Sequence, residues 1–169
     1  MQFTQEQVES AIISKDYRWF ENGNYNLNIV GIRNSATTEE VTNKFDDLIT
    51  VSYKVDDSWY FQQYGCTTDP GKYYTENLLN PAGVAILVPN QYRGAYSIGL
   101  HQGKYEALKQ MKPVQVYRDD NKDNCYDMQP DDIHEGIYGI NIHRASSTGT
   151  STQIDKWSAG CQVIANYED

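Results

Sequence analysis

A mainly-β single domain, a sandwich or barrel with one short N-terminal helix, is what this chain predicts, and three observations predict it. Short apolar or alternating runs recur along the sequence, separated by Gly, Pro, Asn and Asp, the pattern of many short strands joined by turns. Fourteen Tyr and three Trp among 169 residues suit pleated, half-buried surfaces. Only the N-terminus carries a strong helix start, and no repeat or low-complexity segment intervenes. The length, residues 1–169, suits one core.

Taken in order, Thr4-Gln5-Glu6-Gln7 reads as a capping box, with Val8, Ala11 and Ile12 on one helical face as far as Lys15. Tyr17-Arg18-Trp19-Phe20 is expected to pack that helix onto a sheet, before a turn at residues 21–24. Tyr25, Leu27 and Ile29 alternate with Asn26, Asn28 and Val30, so a half-buried strand is expected there. Residues 33–45 read as a loop. Ile49, Val51, Tyr53 and Val55 alternate again and return through Asp56-Asp57-Ser58 to Trp59-Tyr60-Phe61, a hairpin. Asp69-Pro70-Gly71 is a turn. Residues 84–88 and 95–100 are short strands, the second ending at His101. Residues 106–111 have helical propensity for a turn or two. Strands at 114–117, 137–143 and 160–164 complete a set of about eight.

Composition narrows the function. A net charge of −9 argues against nucleic acid, which needs a basic patch. No run approaches the roughly 18 apolar residues of a membrane span. Met1-Gln2-Phe3-Thr4-Gln5-Glu6 lacks the basic start and apolar block of a signal peptide. The three cysteines, Cys66, Cys125 and Cys161, are an odd number without paired spacing, so at least one free thiol is expected. A monomer without cofactor is expected.

The chemistry concentrates near the end. An apolar run closes on His143; after a Ser/Thr-rich excursion, Ser158-Ala159-Gly160-Cys161 opens a second run, with Cys161 eighteen positions after His143. Thiol and imidazole at neighbouring strand ends make a nucleophile–base pair. Gly160 lets another backbone approach, and N–H groups beside it can face an oxyanion. Ser158 can fill the third role, holding the imidazole in the right tautomer. The competing reading is a small buried thiol and a satisfied strand-end histidine.

His143 followed by Ser158-Ala159-Gly160-Cys161 resembles the His…Ser-x-Gly-Cys signature of the L,D-transpeptidase catalytic-domain family. Stretches 25–33, 67–73 and 112–116 resemble its phage and bacterial relatives that carry no signal peptide, so the likeness runs from about residue 17 to 166. The chain has Ala159 where many members have a second His, Val163 where many have Arg or Asn, and Arg144 where glycine is usual. The resemblance implies an L,D-transpeptidase-like β fold. It also implies a cysteine enzyme acting on peptidoglycan stem peptides through a thioester, with Cys161 as nucleophile. The cut would follow the L-centre of the third residue, ahead of D-Ala. Hydrolysis, as in an L,D-carboxypeptidase or a phage endolysin, is favoured over cross-linking. Such a protein would remain in the cytoplasm of the producing cell and meet the wall after lysis or delivery. The segment 69–71 with Tyr73 would form a rim of the groove.

Further candidates surround that pair. His101, between glycines at a strand end, can bind a substrate carboxylate or serve as an alternative base. Arg144 and Arg118 can hold carboxylates, and Tyr73 and Trp157 are aromatics suited to a substrate groove. Asp119, Asn121, Asp123 and Asp127 partly copy a calcium loop but lack its glycine and final glutamate, so a polar turn is the preferred reading. No spacing supports zinc, and no Gly-rich loop supports a nucleotide. Two other readings stay open. One is a non-catalytic wall- or particle-associated binding module on the same fold. The other is a general cysteine protease, whose papain-like order of Cys before His is reversed here.

Overall fold

The structure is a computed structural model that describes residues 1–166 and Glu168. Its first element, α1 (Gln5–Ser14), starts at Thr4 with both halves of the expected capping box in place. Ten strands follow: β1 (Asn28–Ile32), β2 (Asp47–Val55), β3 (Ser58–Thr67), β4 (Val84–Leu87), β5 (Tyr96–His101), β6 (Tyr105–Gln110), β7 (Val114–Asp119), β8 (Ile133–Gly136), β9 (Ile142–Arg144) and β10 (Gln162–Ile164). A one-turn helix, α2 (Lys72–Glu76), lies between β3 and β4. The chain is mainly β, with curled sheets.

Seven strands form one sheet in the order β1-β2-β3-β10-β9-β6-β5, and β4-β7-β8 form a second. Every pairing is antiparallel except β9 with β10, where Val163 lies opposite His143. That exception puts the two sequence-predicted chemical segments side by side. The smaller sheet carries the packed core: Ala85, Val114, Val116 and Ile140 form one buried cluster, and Val41, Ile86 and Tyr126 another.

The β2–β3 hairpin forms where its alternation predicts. Asp56 and Asp57 both take positive φ (48° and 63°), the backbone of a two-residue turn that matches the strand twist. Tyr53 and Tyr60 sit directly opposite and stack with centroids 5.4 Å apart, a stabilising cross-strand pair.

Three expectations are corrected. The strand expected from Tyr25 begins only at Asn28, and its phase is inverted: Tyr25 and Leu27 are exposed while Asn28 is buried. The Asn28 amide clamps Phe20, accepting from its N–H and donating to its carbonyl, both at 2.8 Å, so a polar residue takes the inward place. Residues 106–111 are not helical. Gln102 and Gly103 adopt positive φ and turn the chain so that β6 pairs with β5 along its whole length; sheet pairing overrides a weak local preference. Residues 137–141 do not extend β9. The buried amide of Gln110 replaces the ladder there, accepting from the N–H groups of Tyr138 (3.1 Å) and Ile140 (2.9 Å).

The turn at Asp69 is also inward rather than a rim. Arg33 pairs with Asp69 at 2.7 Å. The buried Asp47 carboxylate accepts from the N–H of Asn34 and from the N–H and hydroxyl of Thr68. Gly71 N–H then donates to Ser158 O at 2.8 Å. This polar cluster braces the turn that carries Cys161.

Candidate active site

Cys161 follows a tight turn and precedes β10; His143 is the middle residue of β9; His101 ends β5. The Cys161 sulfur and one ring nitrogen from each histidine all lie within 4.8 Å of one another. The two imidazoles stack, with centroids 4.0 Å apart. The sulfur opens onto a cleft of about 210 Å³ lined by Gly139, Tyr138 and Arg118 among others. The structure thus joins Cys161, His143 and His101, which stand far apart in sequence.

Hydrogen-bond chemistry gives the two rings opposite faces. His143 Nδ1 lies 2.7 Å from Arg144 O. A carbonyl only accepts, so Nδ1 carries the proton and Nε2 the lone pair. That Nε2 is buried without a partner. The Tyr105 hydroxyl lies 3.1 Å from the same Nδ1. At His101 the order is reversed. Asn141 Oδ1 accepts from Gln110 N–H at 2.9 Å, so its Nδ2 is the group 3.1 Å from His101 Nδ1. Nδ1 is then the acceptor and Nε2 carries the proton. One ring offers a lone pair, the other an N–H.

That assignment bears on metal binding. Three ligand atoms so close suggest a cation, but a ligating histidine needs a free nitrogen lone pair. The lone pair of His101 is engaged by Asn141. The His101 tautomer does not match a metal ligand; the trio instead brings together a thiol, an imidazole lone pair and an imidazole N–H.

Burial holds all three groups neutral. Desolvation lowers His143 from its ordinary 6.5 to about 4, against the contact with Arg144 O that favours its charged form. Desolvation, then Lys104, lowers His101. Desolvation raises the Cys161 thiol, partly countered by the backbone of Asn141. The thiol hydrogen is directed at Gly139 O, 3.4 Å away. The resting pair is therefore thiol and imidazole rather than thiolate and imidazolium. A histidine NMR titration should find the His143 ring changing charge near pH 4; a midpoint near 6.5 would contradict its burial.

Ser158 does not orient His143. It is fully buried, its hydroxyl donates to Cys161 O at 2.8 Å, and it accepts from Gly160 N–H at 3.1 Å. The tautomer role expected of it belongs to Arg144 O; Ser158 fixes the shape of the turn. Gly160 has φ +140°, and a Cβ there would lie 2.5 Å from Ala85 O, so this position requires glycine. Its N–H is spent on Ser158, which leaves Cys161 N–H as the donor next to the sulfur.

The outer residues divide. Arg144 stacks over Tyr105 and donates to Ser146 O, and does not line the cleft. Tyr73 lies under Lys156 at 4.1 Å, and Trp157 is exposed; neither lines it. Arg118 does, held over the Tyr138 ring at 4.7 Å and bonded to Gly83 O. In the Asp119 loop, Asn121 donates to Asp123 and Asp127 and accepts from Asp123 N–H, so its amide ties the loop into a polar turn. All three cysteines are free. Sequence reasoning missed Asn141, Gln110 and Tyr105. A polar residue between Ile140 and Ile142 was the one available signal for Asn141.

No protein-family model, curated protein or solved structure matches the chain.

Proposed function

We propose that the chain is a cysteine enzyme that cleaves peptidoglycan stem peptides through a thioester, with hydrolysis as the outcome. The observation that carries this is the trio of Cys161, His143 and His101, with its ligand atoms within 4.8 Å of one another and the two rings in opposite tautomers. The resemblance of the His143 and Ser158–Cys161 segments to L,D-transpeptidases supplies the substrate class.

The step runs as follows. Cys161 passes its proton to His143 Nε2 as the sulfur attacks the carbonyl of the third residue. His101 Nε2–H and Cys161 N–H face the developing oxyanion, a contribution of about 10²–10³ in rate for each donor. The intermediate collapses, the C–N bond breaks, and His143 returns the proton to the departing D-Ala amine. Water then attacks the thioester, giving its proton to His143; the acid is released and the thiol restored. Arg118, which lines the same cleft as Cys161, would hold a substrate carboxylate. Because the resting pair is neutral, kcat/KM should be flat above pH 5 and fall with an acid limb near pH 4, the His143 value.

Incubation with purified muropeptides, read by mass spectrometry, tests the reading. Loss of D-Ala or a cut cross-link supports it, a new cross-link replaces hydrolysis by transpeptidation, and no product removes it. Asn141→Asp tests the donor role of His101. A carboxylate beside Nδ1 favours Nδ1–H, removing the N–H from the cleft. The variant should lose about 10² in kcat, with the His101 tautomer visibly reversed in ¹⁵N spectra.

A binding module is the second reading, and the raised Cys161 thiol favours it. Iodoacetamide separates the two. A muropeptide acyl adduct on Cys161 that blocks its labelling supports the enzyme, and no adduct with labelling no faster than that of exposed Cys125 supports the module.

A further inference from the structure

The apolar face of the large sheet is not closed by the core. Ile49, Leu108 and Ile142 border a cavity of about 580 Å³, covered by residues 17–20 and 87–96. Protein interiors rarely hold voids larger than a water molecule, whereas ligand pockets span roughly 300–1,000 Å³. Two polar atoms of lining side chains, Trp19 Nε1 and Tyr96 OH, are buried without partners; Trp19 is 6% exposed. Such orphans usually mark a missing partner.

The charge of the lining is the second observation. Lys15, Arg18, Arg33 and Arg93 line the cavity and, among the described residues, no carboxylate does, in a chain with 14 basic and 23 acidic residues. Arg33 is engaged by Asp69. Lys15, Arg18 and Arg93 are exposed at the mouth, and Arg93 lies over the Phe20 ring at 5.5 Å.

We infer that this cavity is a second binding site, for a single-chain aliphatic carboxylate, with the chain against the sheet face and the head group among the cations at the mouth. The site does not depend on the chemistry of Cys161.

Gly31 offers a way to fill it. It lines the cavity, and a Cβ there would meet Thr68 and Gln162 side chains at 3.5 and 3.8 Å, ordinary contact. Isothermal titration of the full chain with decanoate, decan-1-ol and acetate tests the inference. Decanoate should bind with one-to-one stoichiometry, about tenfold or more tighter than the alcohol, and acetate should not bind. Arg18→Gln with Arg93→Gln should reduce decanoate to the alcohol's affinity. Gly31→Leu, shown folded by circular dichroism, should abolish binding of both. Equal affinity for acid and alcohol, undiminished binding by Gly31→Leu, or no saturable binding by the wild type would each overturn it.

Discussion

Cys161→Ala should abolish turnover of muropeptides, by at least about 10⁴-fold, because no other group can form the thioester. Cys125→Ala, at an exposed thiol in a polar turn, should leave turnover unchanged. His143→Ala should cost nearly as much as loss of the sulfur, and the double variant should be no worse than Cys161→Ala, since residues acting as a unit are not additive. Product formation by mass spectrometry under single-turnover conditions is the measurement. Residual turnover in Cys161→Ala within tenfold of the wild type would remove the sulfur from the mechanism.

Gly160→Ala should be the most costly single methyl group in the site. The residue holds φ +140°, and the added carbon would meet Ala85 O at 2.5 Å and Ala85 Cβ and Ile140 Cδ1 at 3.0 Å. Two of those neighbours belong to the packed cluster of the small sheet, so they cannot yield cheaply. Backbone strain and overpacking together should cost about 3 kcal/mol or more, lowering Tm by about 6–12 °C at this chain length. Gly65→Ala is the control. It has ordinary φ with nothing within 4 Å of the new carbon, and should shift stability by about 0.5 kcal/mol at most. A Gly160→Ala protein melting with the control would mean that the turn is not held against Ala85.

The difference between these residues and their neighbours also explains what could be read in advance. The capping box at Thr4, the Asp56-Asp57 hairpin and the β5 strand ending at His101 are local: propensity, alternation and turn chemistry act within a few residues. Cys161 and His143 were legible as neighbours because Cys and His are rare residue types and each stands at the end of an apolar run. Ser158 was legible as a member of the site but not in its role, since only the folded turn shows its hydroxyl bonded to Cys161 O. Residues 106–111 and the phase at Asn28 were not legible, because pairing with β5 and the clamp on Phe20 are made by distant segments. Asn141 acts on His101 across forty residues of sequence. The cationic lining of the large cavity is collected from residues 15–18, from Arg33 after β1 and from Arg93, and no window of sequence contains it.

The position of β10 has a consequence for how the protein is made. Its three residues are synthesised after the other nine described strands, yet they occupy the middle of the seven-stranded sheet, between β3 and β9. Until they arrive, two inner edges stand open and unpaired, the condition under which nascent sheets join the wrong neighbour. Insertion of this strand both seals the sheet and delivers the thiol, so a chain stalled before residue 162 lacks the closing strand and has the Cys161 sulfur unplaced.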